Sequence, residues 1–146
     1  MRLILIVAFV AVFGQQAKPD YNGTWVVNSD KSAKAIKEGL PANARVTITV
    51  TEKDVTLVMQ DQGLVCGFGK LPIQNDQMNG RALCSAKWDG DPSRPPNPSD
   101  PMIKTYAPFT EIRLGRAGTD LKVSNAIHLA SGNEVKQAPA VYEKTR

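Results

Sequence analysis

The sequence predicts an all-β protein: an antiparallel up-and-down barrel of eight or nine strands, with one short helix after the first strand. Apolar and polar residues alternate with a period of two through most of the chain, which is typical of strands with one buried face. Short polar turns separate these stretches, and no helical segments alternate with them, so a parallel sheet of βαβ units is not expected. The 146 residues, 42% hydrophobic and 22% charged, describe a single globular domain.

The chain begins with the pattern of a secretory signal peptide. Arg2 supplies a positive start, residues 3–13 form an unbroken apolar run, and Gly14 offers a small residue for cleavage. A membrane-spanning helix needs roughly 20 apolar residues. We therefore expect residues 1–14 to be removed, the alternative being an uncleaved anchor. The domain over residues 18–146 is then secreted or periplasmic, with no stable membrane anchor.

The first strand is predicted over residues 23–28, and the only predicted helix follows it over residues 30–38. Ser29 or Asp30 can cap the start of this helix, and Gly39 ends it. No other stretch of the chain is a plausible helix, so strands are expected elsewhere.

The other strands follow from the alternation of aliphatic with polar residues. In the clearest example, Val46, Ile48 and Val50 alternate with three threonines. The strands predicted in this way cover residues 46–50, 55–59, 64–68, 82–88, 112–114, 121–129 and 140–143.

The two cysteines, Cys66 and Cys84, are predicted to form a structural disulfide, because thiols of exported chains tend to pair. The polar stretch 74–77 lies midway between them. If it turns a hairpin, the two cysteines face one another across the strands. A redox-active pair would instead need closely spaced cysteines and an activated thiolate, and the sequence shows neither.

Residues 89–101 interrupt the strand pattern with five prolines and almost no apolar side chains. Proline donates no hydrogen bond to a sheet, so this segment is not a central strand. We expect an exposed Pro-rich loop between strands. The alternative is a lid or a polyproline segment that binds a partner.

Charge and composition argue against several classes of function. The 18 basic and 14 acidic residues give a net charge of +4, or +3 without Arg2, and they are scattered, so no nucleic-acid partner is expected. One histidine and two cysteines leave most metal sites without ligands, and no cofactor, metal or catalytic residue is expected. His128 is predicted on the solvent-facing side of its strand. The sequence therefore predicts a protein that is not an enzyme.

Four short motifs occur in a recognisable order. They are Asn22-Gly23-Thr24-Trp25, Lys31-Ser32, Trp88-Asp89-Gly90 and the terminal Tyr142-Glu143-Lys144. In this order they resemble the small exported lipocalin-like proteins of bacteria, over roughly residues 20 to 144. The resemblance implies a barrel whose interior holds a small apolar ligand, and a basic side chain, Lys144 or Arg146, that covers Trp25. The Asn22-Gly23-Thr24 glycosylation pattern has no meaning in a bacterial source.

The candidate ligand contacts lie on the predicted inward face: Trp25, Met59, Phe68, Trp88 and Asn125. The four bulky apolar residues also fit a plain core. The polar Asn125 can bond a ligand, a backbone group or a buried water. The expected function is binding of a small apolar ligand. The alternative is a solid-core envelope interaction module or inhibitor that acts through the loop at 89–101 without a ligand.

Overall fold

The structure, a computed structural model, describes residues 20–60, 62–69, 71–77, 80–90 and 101–145. The predicted signal peptide lies outside the described residues, as do residues 91–100 of the Pro-rich loop. The described elements, in chain order, are β1 (Gly23–Val27), α1 (Ala33–Lys37), β2 (Arg45–Val50), β3 (Asp54–Met59), β4 (Gln62–Gly67), β5 (Ile73–Gln77), β6 (Gly80–Trp88), α2 (Pro101–Tyr106), β7 (Phe109–Ala117), β8 (Asp120–His128), β9 (Glu134–Lys136) and β10 (Ala140–Lys144).

Eight of these strands close into a barrel, which confirms the predicted architecture at this level. Each strand pairs with the next in the order β10, β1, β2, β3, β4, β6, β7 and β8, and β8 pairs back to β10. The strands β5 and β9 lie outside this ring and pair with β6 and β8. Closure leaves no open edge in the ring itself.

The prediction that all strands are antiparallel is wrong at β6. This strand runs parallel to both of its barrel neighbours, through the pair Gly67 and Ser85 with β4 and through residues 84–88 with β7. Parallel neighbours need a crossover connection of a dozen or more residues. The chain between Trp88 and Phe109 is that connection, so the Pro-rich segment belongs to a crossover and not to an up-and-down meander.

The helix α2 lies in this crossover and is absent from the predicted elements. Pro101 is its first residue, where the missing backbone N–H has no helical partner to lose. Pro101, the last residue of the predicted loop 89–101, therefore belongs to α2. No helix in the described ranges is long and apolar enough to cross a bilayer.

The predicted disulfide is confirmed, but the predicted hairpin register is wrong. Cys66 and Cys84 are bonded, with their Cα atoms 4.6 Å apart, and they join the neighbouring strands β4 and β6. The polar stretch between them is a strand, β5, in which Ile73 and not Cys66 is the antiparallel partner of Cys84. The hairpin turn therefore lies after residue 77, beyond the polar stretch in which it was expected.

The side chain of Asn75 explains why so polar a segment forms a strand. Its Oδ1 accepts a hydrogen bond from the Val65 amide at 2.8 Å, and its Nδ2 donates one to the Val65 carbonyl at 2.8 Å. A single side chain thus pairs both backbone groups of a β4 residue, as a neighbouring strand would. Asn75 is 9% exposed, and it fills the gap where β4 and β6 diverge.

The first helix is shorter than predicted. It covers Ala33–Lys37 within the expected residues 30–38, and Gly39 ends it at a φ of +118°, as expected for a glycine after a helix. Its cap position is Ser32 and not Ser29 or Asp30. The Ser32 hydroxyl bonds to the backbone of Val141 and not to the helix, which ties α1 to β10.

Candidate functional site

Aromatic side chains close one end of the barrel. Trp25 is 3% exposed, and its Nε1 donates a hydrogen bond to the Tyr21 carbonyl at 2.8 Å. The ring of Trp88 stacks between those of Tyr21 and Phe68, with centroids 5.5 and 5.2 Å away. Tyr21 and Trp25 belong to the buried core, and the half-buried Phe68 and Trp88 pack against it, so aromatic rings cover this end of the barrel.

The basic residue expected over Trp25 is Lys144. The two residues are direct partners in the β1 and β10 ladder, and the Lys144 Nζ lies 5.7 Å from the centre of the Trp25 ring. At this distance the ammonium is attracted by the face of the ring. The alternative candidate, Arg146, lies outside the described residues.

The other end of the barrel contains a cavity of about 550 Å³. This volume falls in the usual range of small-molecule sites, about 300–1,000 Å³. The residues that line the cavity are Ala35, Glu38, Gly39, Leu40, Val46, Leu57, Met59, Gln60, Gln62, Gly63, Leu64, Ile112, Val123, Asn125, Gln137, Ala138, Ala140 and Tyr142. The walls are mostly aliphatic, and the lining also includes the amides of Gln60, Gln62, Asn125 and Gln137.

The structure divides the five predicted ligand contacts between the two ends. Met59 and Asn125 line the cavity. Trp25, Phe68 and Trp88 do not line it and pack in the aromatic group at the closed end. Alternation identifies inward-facing residues, but it does not say which end of the barrel they occupy. That choice depends on strand direction and register.

The mouth of the cavity is formed by segments that are distant in sequence. The end of α1 meets the chain before β10 through a hydrogen bond from the Ala138 amide to the Glu38 Oε2 at 3.1 Å. The Gln137 amide then donates a hydrogen bond to the Asn125 carbonyl of β8 at 3.0 Å. Sequence reasoning missed these residues, because nothing in the local pattern brings the helix and this segment together.

Besides its amides, such as that of Asn125, the cavity lining includes the hydroxyl of Tyr142. Tyr142 is 3% exposed, and burial raises the pKa of its hydroxyl, which stays protonated. Tyr142 alternates with Ala140, another cavity residue, so its inward position could have been found from the strand pattern. A protonated hydroxyl and an amide can each donate and accept a hydrogen bond.

His128 is buried, contrary to the prediction that it faces solvent. It is 5% exposed, stacks on Phe109 at 4.7 Å, and its Nε2 lies 3.7 Å from the Glu111 Oε1. It does lie on the outward side of β8, opposite the core. The prediction equated the outward side with solvent, but there the ring of Phe109 stacks on His128, and Glu134 of β9 is its partner in the β8 ladder.

Glu111 is the centre of a charged cluster on this outer wall. It is 3% exposed and forms ion pairs with Arg113 Nε at 3.1 Å and Lys87 Nζ at 3.5 Å. A terminal nitrogen of Arg113 also reaches Glu134 at 3.0 Å. A buried carboxylate needs such partners to remain charged.

Ser85 lies beside Glu111 in the strand register, so the outer wall holds a serine, a histidine and a glutamate together. Within the described ranges, neither the Ser85 hydroxyl nor the His128 Nε2 has a hydrogen-bond partner. The arrangement does not suit nucleophilic catalysis. All three side chains are buried, so the Ser85 hydroxyl is not open to a substrate.

The buried Glu111 predicts a stability that falls in acid. Burial raises its pKa, but His128, Lys87 and Arg113 outweigh burial and lower the pKa from 4.5 to about 2. The native chain therefore releases this proton more readily than the unfolded chain. The stabilisation is complete above about pH 4.5 and is lost as the pH falls towards about 2.

Urea unfolding of the wild type and the Glu111→Gln variant across this range measures the effect. We expect the wild-type advantage to be constant near neutral pH and to shrink as the pH falls below about 4.5. The other carboxylates titrate in both proteins and cancel in the difference. An advantage that does not change with pH would contradict the prediction.

Within the described residues, no three His, Cys, Asp or Glu side chains come together as a metal site. No protein-family model matches the chain, and no curated protein matches it. The cavity at the open end is therefore the feature from which a function can be argued.

Proposed function

We propose that this protein is an exported, lipocalin-like binding protein that holds a small, mostly apolar molecule in the open end of its barrel. The observation that carries the proposal is the cavity of about 550 Å³, with aliphatic walls and a few polar groups. This combination is typical of small-molecule sites, in which apolar walls supply affinity and sparse polar groups set the orientation.

The construction of the barrel supports this function. The aromatic residues at one end and the Cys66–Cys84 disulfide hold the wall in place independently of any ligand. The opposite end is left unfilled, although interiors are normally packed with few voids. Export agrees with the signal-peptide pattern of residues 1–14 and with the disulfide, which is typical of oxidising compartments.

The alternative function, a solid-core interaction module, requires a filled interior. The cavity argues against that requirement. Residues 91–100 of the loop through which such a module would act lie outside the described part of the chain. Ligand binding is therefore the function that the described geometry favours.

A matched pair of substitutions tests the proposal. Val123 lines the cavity, whereas Val58 on β3 is 39% exposed. Val123→Phe places a ring in the space that the ligand needs, and Val58→Phe makes the same exchange on the outside. We expect Val123→Phe to weaken binding of the neutral probe N-phenyl-1-naphthylamine about tenfold or more, equivalent to about 1.4 kcal/mol, and Val58→Phe to leave it unchanged.

Fluorescence titration of the purified proteins measures this binding, and thermal unfolding verifies that both variants are folded. Equal affinity in the two variants would place the probe outside the cavity. Absence of binding by the wild type, to this probe and to a broad panel of apolar molecules in native mass spectrometry, would refute the proposal.

A further inference from the structure

The charge of the cavity lining limits the chemistry of its ligand. Among the described lining residues, Glu38 is the single charged side chain, and the lining contains no lysine, arginine or histidine. A carboxylate taken from water into such a site loses its hydration and gains no cation. At the mouth it would also meet the negative charge of Glu38. The lining is therefore unfavourable for an anionic ligand.

Apart from Glu38, the polar side chains of the cavity lining are uncharged. Among them, the Tyr142 hydroxyl and the Asn125 amide can each donate and accept hydrogen bonds. A ligand with its own hydroxyl, amide or carbonyl can bond to these groups, whereas a purely apolar ligand would take them from water without a partner. The uncharged polar groups of the cavity therefore suit a neutral headgroup.

The positions of these two groups limit the shape of the ligand. Tyr142 pairs with Leu121 on β8, and Asn125 lies four residues further along the same strand, towards the mouth. This separation is ~13 Å along the strand. Aliphatic residues such as Val123 line the wall between the positions of Tyr142 and Asn125. An extended apolar chain with a polar end fits this arrangement better than a compact polar molecule.

We infer that the cavity selects uncharged amphiphiles, which pair an apolar chain with a neutral hydrogen-bonding headgroup, over fatty-acid anions of the same length. The inference rests on the proposed function and names the ligand class of the same site. The headgroup bonds to one of these two residues, Tyr142 at the inner level or Asn125 near the mouth, and Glu38 excludes the anion.

Competition against N-phenyl-1-naphthylamine tests the selection, with three ligands of one chain length: 1-dodecanol, dodecanamide and dodecanoate. At about pH 8, where dodecanoate is ionised, we expect both neutral ligands to bind at least about tenfold more tightly than the anion. Glu38→Gln should narrow this difference by improving dodecanoate binding. Dodecanoate that competes as well as dodecanol would overturn the inference.

Two further variants test the headgroup contacts. We expect Tyr142→Phe and Asn125→Leu to be folded, which thermal unfolding verifies, and the affinity of each for the probe is titrated beside its affinity for 1-dodecanol. At least one should weaken 1-dodecanol about fivefold, the loss of one hydrogen bond. Unchanged 1-dodecanol affinity in both variants would show that neither residue binds the headgroup and would overturn the inference.

The outcomes separate this inference from the proposed function. If Val123→Phe fails to weaken the probe, the site itself is wrong. If Val123→Phe blocks the probe but dodecanoate competes as well as dodecanol, binding in the cavity stands and only the selection of neutral ligands fails.

Discussion

Replacing Trp25 by alanine is expected to lower the free energy of unfolding by about 3–5 kcal/mol, the usual cost of removing a large buried aromatic side chain. Trp25 is 3% exposed, and its indole bonds to the Tyr21 carbonyl. Removing it leaves a void at the closed end of the barrel and an unpaired carbonyl. The neighbouring rings cannot fill this void without breaking their own stack.

Urea denaturation of Trp25→Ala, Trp25→Phe and Lys144→Met measures the effect and its origin. Trp25→Phe keeps an aromatic ring and should cost less than the alanine variant. Lys144→Met removes only the exposed cation over the ring, and it should cost about 0.5–1 kcal/mol. A loss below about 1 kcal/mol for Trp25→Ala would show that the closed end does not depend on this side chain.

Loss of the disulfide should have the next largest effect. In the chain-entropy account, opening a loop of this size costs ~3 kcal/mol, because the unfolded chain regains freedom. Cys66 and Cys84 are 18 residues apart in the sequence. In the described part of β4 and β6, the backbone pairing between the two strands is the single pair Gly67 and Ser85. The bond therefore holds the barrel where its ladder is weakest.

The double variant with Cys66→Ser and Cys84→Ser should unfold at a clearly lower urea concentration than the wild type. Dithiothreitol should lower the wild-type midpoint by a similar amount and leave the double variant unaffected. Relative to the wild type, the double variant should show a larger rise in hydrogen exchange in β4 than in β2, which pairs with β1 and with β3 through several residues each. Equal midpoints for the oxidised wild type and the double variant would contradict this account.

Local pattern was enough to predict much of the barrel. Alternation at Val46, Ile48 and Val50 placed β2, because burial on one face of a strand imposes a period of two on the sequence. The disulfide partners followed from the presence of just two cysteines in a chain whose first residues predict export. Asn125 was recognised as inward-facing for the same reason as the β2 residues, and it lines the cavity.

Long-range pairing accounts for the predictions that failed. The segment of β5 is polar because Asn75 pairs with Val65, a contact that the local sequence does not contain. His128 is buried because Phe109 of β7 stacks on its ring. The mouth of the cavity depends on a contact between Glu38 and Ala138, which are 100 residues apart.

By itself, the sequence determined the all-β class, most strand positions, the disulfide partners and the inward position of Asn125, since each depends on side-chain alternation or on composition. The tertiary structure alone decided the parallel course of β6, the separation of Trp25 from Met59 to opposite ends of the barrel, and the cavity lined by Tyr142. A period of two says which face of a strand is buried. Register and direction, set by contacts between distant residues, decide what that face surrounds.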